Sequence, residues 1–299
     1  MIRRLALVVA TVVVFGVALP TRAHAQSVTV GLFAPTAPFP STSARVELAS
    51  RLGDHIGKAL GGTGSGKVFA RGSDFAAAVK KGEVTVALVD AAYLAVAGGN
   101  YTVVAASVRG GDTTHGWQLV ARGTDKLAGL KAKRVLVPGI GGREGDLVLN
   151  VLFGGEVGKD YFAKIEPAPD TVSALAALGL GKADAAVVPA GVELPGGSSV
   201  VLSLPALPGP VLVVYGSNAQ QRQAIAAAAL SFKGDATVAS FRAGDSEAVK
   251  AVARRFTVPV KRGPLAVPAI RLLVGDLVEG RAFTIERAPV TAFVAKPGR

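Results

Sequence analysis

The residue types and spacing that bear most directly on chemistry lie at 134–153, RVLVPGIGGREGDLVLNVLF. A β-branched run predicts a strand at 134–137, Pro138 and Gly139 end it, Gly141 and Gly142 turn the chain, and a helix is expected from Glu144 to about Phe153. Such a corner leaves unpaired backbone N–H groups and the positive end of a helix dipole at the carboxyl edge of a sheet, a setting that attracts anions. Arg143 could add a charge-assisted fork there or stand as a surface cation. Glu144 could equally neutralise the dipole as an ordinary first-turn acid. Gly139, Gly141 and Gly145 read G-x-G-x-x-x-G, one residue longer than the dinucleotide fingerprint.

Other candidates are weaker. Residues 61–67, GGTGSGK, place Gly61, Gly66 and Lys67 at P-loop separation, but Val68 stands where the Mg²⁺-binding hydroxyl is needed. The segment also leaves a predicted helix and enters a strand, the reverse of the order that aims a helix N-terminus at phosphate, so it reads as a flexible connection. Ser41, Thr42 and Ser43 offer hydroxyls at a helix start, either as caps or as donors to a ligand. Trp117 opens a predicted strand as core or as cleft wall. The imidazoles are His24, His55 and His115, there is no Cys, and neither G-x-S-x-G nor H-E-x-x-H occurs. No catalytic set, metal site or cofactor is therefore expected, and the chain reads as a non-enzyme.

These residues need a scaffold, and the chain is long enough to build one. With 299 residues, 50% hydrophobic and 18% charged, it can bury one large core or two smaller ones, which excludes intrinsic disorder. The absence of Cys excludes a disulfide framework. Arg3 and Arg4 precede an apolar run at 5–19 and Ala23-His24-Ala25, the pattern of a cleavable secretory signal at 1–25. An apolar run of about 15 falls short of the roughly 20 residues that span a bilayer, so no stable membrane insertion is expected after cleavage. The net charge of +12 favours anionic partners, while only 6% aromatics and no basic stripe interleaved with them disfavour nucleic acid.

From Val28 onward, strands alternate with helices. Strands are expected at 28–33, 67–70, 84–89, 117–121, 134–137, near 164–165, at 185–188 and at 211–215. Helices are expected from Ser41 to about Leu60, with Val46, Leu48, Leu52, Ile56 and Leu60 as its apolar stripe, and at 74–81, 144–153, 171–180, 219–232, 246–255 and near 270–277. A turn or short helix is expected at 93–96. Pro205, Pro208 and Pro210 forbid a regular helix at 198–210. Two short alternating runs follow at 281–286 and 290–295. This is the grammar of an α/β fold with mostly parallel sheets covered on both faces.

Residues 131–189, through LKAKRVLVPGIGGREGDLVLNVLF and GLGKADAAVVP, are similar to the second lobe of periplasmic substrate-binding proteins of phosphate, phosphite and phosphonate ABC importers. VTVGLFAP, KKGEVTVALVDAAYLAV and VLVVYG resemble that family's first strand, its strand leading to a Tyr, and its return strand, so the resemblance covers about 28–232. It implies a two-lobe type II periplasmic-binding-protein fold, with a leader at 1–25 and a first lobe opening over 26–112. The second lobe would occupy 113–205, and 206–299 would return to the first lobe with a C-terminal extension. It also implies Tyr93 as a first-lobe ligand contact. Gly141, Gly142, Arg143 and Glu144 occupy the place of the family's hydroxyl-bearing anion loop, and Thr171 lies near a second family motif. Asp90, if it faces the cleft, would suit a ligand that also carries an ammonium group.

The function so implied is an exported, periplasmic solute-binding protein. It would close on a small anionic or zwitterionic, phosphate- or phosphonate-like solute and present it to an inner-membrane ABC permease. The alternative is a transport-inactive sensory or interaction protein on the same fold, with a sensor as partner.

Overall fold

A computed structural model describes residues 27–257. The signal assigned to 1–25, the helix near 270–277 and the runs at 281–286 and 290–295 lie outside the described residues. The first lobe begins with β1 (Ser27–Phe33), whose apolar residues are buried on both faces. Ser41 then caps α1 (Thr42–Ala59), its Oγ accepting from the Ala44 N–H at 3.1 Å. Leu48, Leu52 and Ile56 are buried as the period predicts. Val46 is 48% exposed, because two residues from Leu48 it falls on the opposite side of the helix from the buried stripe.

That strand, β2 (Thr63–Val68), occupies most of the Gly-rich stretch expected to be a flexible connection. It pairs in parallel with β1, Val28 opposite Gly64 and Val30 opposite Gly66. Its glycines let two backbones touch: a Cβ on Gly64 would fall 1.8 Å from the Gly53 carbonyl oxygen of α1, and one on Gly66 2.2 Å from the Ala49 carbonyl carbon. Gly66→Val should therefore cost about 3 kcal/mol or more in urea unfolding, since backbone cannot yield as a side chain does. At Gly61 a Cβ meets nothing within 4 Å and only the positive φ of 73° penalises it, so Gly61→Ala should cost about 1 kcal/mol. Equal losses at the two sites would refute this packing.

The lobe continues through α2 (Gly72–Lys80), the fully buried β3 (Val86–Asp90), α3 (Ala91–Ala97) and β4 (Thr102–Val108). The second lobe holds β5 (Thr114–Arg122), β6 (Arg134–Pro138), a single α-helical turn α4 (Glu144–Asp146), β7 (Lys164–Ala168), α5 (Thr171–Gly179), β8 (Ala185–Pro189) and β9 (Ser198–Pro208). The helix expected to run on to Phe153 is π-helical over Leu147–Leu152, with the Phe153 N–H reaching back five residues to the Val148 carbonyl. The chain returns as β10 (Pro210–Val214), α6 (Ala219–Ser231) under an Asn218/Gln221 capping box, β11 (Ser240–Ala243) and α7 (Ser246–Thr257).

The strands form two sheets, in the orders β11-β4-β10-β3-β1-β2 and β7-β6-β8-β5-β9. Pairing is parallel for β1 with β2 and β3, and for β6 with β7 and β8; the other ladders are antiparallel. In each sheet four strands thus run in one direction, β1 to β4 in the first and β6 to β9 in the second, while β10 and β11 in the first and β5 in the second run back against them. The proline-bearing 198–208 stretch, from which only a helix was excluded, is the edge strand β9, a position that tolerates a missing N–H. Two short segments cross between the lobes, 109–113 and Gly209, tied by the Gly209 N–H to the Thr113 carbonyl at 2.9 Å. Helix α7 packs on both lobes: Val249 joins the first lobe's core around Phe75, and Val252 and Phe256 join the second lobe's. Among the described residues no helix is long and apolar enough to cross a membrane.

Candidate solute-binding site

The carboxyl ends of β1 and β3 face those of β6, β7 and β8 across the seam between the lobes. Asp90, the last residue of β3, is 1% exposed. Its Oδ2 accepts from the Thr36 N–H and its Oδ1 from the Thr36 hydroxyl, both at 2.8 Å. Burial pushes its pKa up to about 7, against the Thr36 hydrogen bonds and the Arg45 charge. Asp90 therefore does not present a carboxylate to a solute ammonium group; it anchors the loop that follows β1.

Tyr93 is likewise buried, its ring edge-on to Phe33 at 4.9 Å and to Phe75 at 5.6 Å. Gly141 closes against it from the other lobe. At φ 84° it has no Cβ, which would fall 2.9 Å from Tyr93 Cδ2. The Tyr93 ring thus lies against one side of the expected anion turn, whose Gly141 is exposed and Gly142 partly exposed. The Gly139 N–H donates to the Ala168 carbonyl at 2.8 Å, and the Gly142 N–H to Glu144 Oε1 at 3.0 Å, so Glu144 serves its own turn, in the way of an ordinary first-turn acid. Arg143 turns its fork away from the seam, Nε donating to Asp146 at 2.7 Å and Nη2 to the Phe256 carbonyl of α7 at 2.8 Å.

Thr171 crosses the seam. Its N–H donates to the Pro35 carbonyl at 3.1 Å and its hydroxyl to the Thr36 carbonyl at 3.0 Å. Beside it Asp170 caps α5 through the Ser173 N–H at 2.7 Å and pairs with Arg45 of α1 at 2.6 Å. Burial raises the Asp170 pKa, but the Ser173 donor and the Arg45 guanidinium outweigh it and hold the carboxyl below its ordinary value. Ser41, Thr42 and Ser43 stay exposed at the start of α1, where Ser41 is a cap bonded to the Ser43 hydroxyl at 2.8 Å. The structure thus gathers Asp90, Tyr93, Gly141, Gly142 and Thr171 at the seam, with Glu144 capping its turn, and leaves Ser41, Thr42, Ser43 and Arg143 aside.

Open space lies next to this seam, on the α5 side. A crevice of about 1320 Å³ runs between the lobes, bordered by Pro38, Arg109, His115, Leu175, Val192 and Thr237. Of the sequence-predicted residues only Thr171 lines it. At its inner end a cavity of about 20 Å³, room for about one water, shares Pro38, Arg109, His115 and Thr237 and is floored by Trp117. Trp117 is accordingly both core and cavity wall.

Arg109 and His115 flank the first lobe crossing, in a stretch whose Gly, Asp and Thr residues mark only a boundary between strand–helix cycles. The signal available was a cation and an imidazole on either side of that boundary. The Arg109 guanidinium is half-buried and donates to the Ala190 carbonyl at 3.2 Å. Among the described residues it has no carboxylate partner. Burial lowers its pKa, yet a guanidinium stays charged at neutral pH. Burial and the Arg109 charge lower the His115 pKa, with Asp112 opposing, so His115 is neutral above its ordinary 6.5. Gly209 makes room for it: a Cβ there would lie 2.9 Å from His115 Nε2. Among the described residues no three His, Cys, Asp or Glu side chains are placed to hold a metal.

No protein-family model matches the sequence, and no curated protein is similar to it. Solved structures do share the fold. A Xanthomonas citri protein bound to ATP is 12% identical with a TM-score of 0.61, over 77% of this chain and 97% of that one. A binding-protein component of an ABC phosphonate transporter from Pseudomonas aeruginosa is 16% identical with a TM-score of 0.61, over 77% and 85%. PhnD1 from Prochlorococcus marinus in complex with methylphosphonate is 12% identical with a TM-score of 0.61, over 77% and 96%. The chain therefore has the two-lobed α/β fold of periplasmic binding proteins.

Proposed function

We propose that this chain is an exported, periplasmic solute-binding protein that holds a small anionic or zwitterionic solute between its lobes and hands it to an inner-membrane ABC permease. The observation that carries the reading is Arg109, a half-buried guanidinium at the inner end of the inter-lobe crevice that has no carboxylate partner among the described residues. A desolvated cation is costly without a counter-charge, and an anionic solute supplies one. Neutral His115 and the Thr237 hydroxyl add hydrogen-bonding capacity beside it. The solute head is placed there, beyond the seam, and not at the 141–144 turn. The fold shared with a phosphonate transporter component and a methylphosphonate complex supports the solute-binding role, while the phosphate- or phosphonate-like character of the head is read from Arg109 alone. Capture alone is the activity: no step requires bond making or breaking.

A transport-inactive sensory or interaction role is the second reading. It is favoured by the Arg45–Asp170 pair and the Thr171 bonds, which hold the seam through protein groups alone.

A thermal-shift panel of phosphate, phosphite, methylphosphonate, sulfate and amino acids tests the two. One member, at a hundredfold excess over its Kd, should stabilise the mature chain by about 2.7 kcal/mol. Arg109→Met should abolish that gain while leaving the ligand-free melting point within a few degrees. No shift with any compound would favour the second reading.

A further inference from the structure

The crevice is too large and too apolar for a phosphate-sized solute alone. Its volume of about 1320 Å³ exceeds the roughly 300–1,000 Å³ of pockets that bury drug-sized ligands. One of its walls is α5, TVSALAALG, which carries no charge. One face of that helix, Ala174, Leu175 and Leu178, is buried against the second sheet. Val172, Ala176 and the following Leu180 line the open crevice at helical spacing, with Val192 and Leu194 on the same crevice wall. Val172 is 43% and Leu180 72% exposed. A helix apolar on both faces, one of them bordering a cleft, is suited to hold an apolar ligand surface.

Resting on the solute-binding reading above, we infer that the crevice takes an amphiphilic anion, its charged head at Arg109 and its apolar tail along Val172, Ala176 and Leu180. Charge complementarity sets the orientation. Among the described residues Arg109 is the cation of the crevice, and the other charged side chain there, the exposed Glu193, would repel an anionic head seated against the 190–196 loop. The tail then covers α5 and leaves its outer end in solvent.

Calorimetric titration of the mature chain with methyl-, butyl- and octylphosphonate, each below its micelle concentration, and with octan-1-ol tests this. Affinity should rise roughly threefold to fourfold per buried methylene, giving at least a thirtyfold gain from methyl to octyl. Octanol should bind far more weakly than octylphosphonate. Leu180→Glu and Val172→Glu, both at exposed positions, should flatten the chain-length dependence, whereas Val200→Glu on β9, outside the crevice, should keep it. Equal affinity for methyl- and octylphosphonate would overturn the tail assignment and leave the solute-binding reading standing. Octanol binding as tightly as octylphosphonate would overturn the head assignment. A ligand-free dimer by light scattering that Leu180→Glu converts to monomer would show that a second copy covers α5, which also overturns it. If none of the probes or the earlier panel binds, the solute-binding reading itself falls.

Discussion

At pH 8 the Asp90→Asn chain should resist urea better than wild type by up to about 4 kcal/mol, and the two should converge as pH falls to 4. The Asp90 carboxyl is raised from 3.8 to about 7 because burial outweighs the two Thr36 hydrogen bonds and the Arg45 charge. Its folded pKa lies above its unfolded one, so between about 3.8 and 7 the unfolded chain has released a proton that the folded chain still holds. Stability from this group is therefore full below 3.8, falls as pH rises, and is lost above about 7. The gap is worth about 4 kcal/mol. Asn is nearly isosteric, can accept from the Thr36 N–H, donate to its hydroxyl, and never ionises. If Asp90→Asn is instead less stable than wild type at every pH, the charged hydrogen bonds outweigh burial and the carboxylate is ionised in the seam.

The parts of the fold legible in the sequence are those whose evidence is local. β1, β3, β6 and β8 are apolar runs bounded by turn residues, and α1, α5 and α6 carry hydroxyl, carboxylate and amide caps at their starts. β4 and β11 lacked such marks: one is an Ala-containing run without alternation, the other only four residues long. β9 was obscured by prolines that are harmless on an edge. Glycine misled at Gly64 and Gly66, where the missing side chain serves close packing on Gly53 and Ala49 rather than freedom. The same limit applies to the site. That Asp90, Tyr93 and Thr171 approach one seam follows from strand order, but whether their polar groups face a ligand or each other depends on partners up to 136 residues away. Arg143 illustrates this: its carbonyl partner, Phe256, is 113 residues on. Arg109 was illegible for the converse reason, since its lack of an ion-pair partner among the described residues is a property of the folded chain alone.

Asp170→Asn should shift the ligand-free lobes toward an open arrangement, seen as a larger radius of gyration in solution scattering. Asn keeps the α5 cap, because its side-chain oxygen can still accept from the Ser173 N–H. It removes the counter-charge of Arg45. That pair is only 14% and 15% exposed, so solvent screens it weakly, and the Arg45 Nε is already buried without a partner. Removing one member of a buried pair costs about 3–5 kcal/mol; with part of the pair in solvent, about 3 is expected. Because the pair joins α1 of one lobe to α5 of the other, that cost falls on the closed arrangement, and about 3 kcal/mol reduces the closed-to-open ratio on the order of a hundredfold. Arg45→Met should do less, since Asp170 retains its Ser173 donor and the α5 N-terminus. The double variant should recover most of the loss, as replacing both members leaves no orphaned charge. Scattering from Asp170→Asn that overlays wild type, together with additive single and double variants, would mean that the Thr171 bonds and α7 hold the seam without this pair.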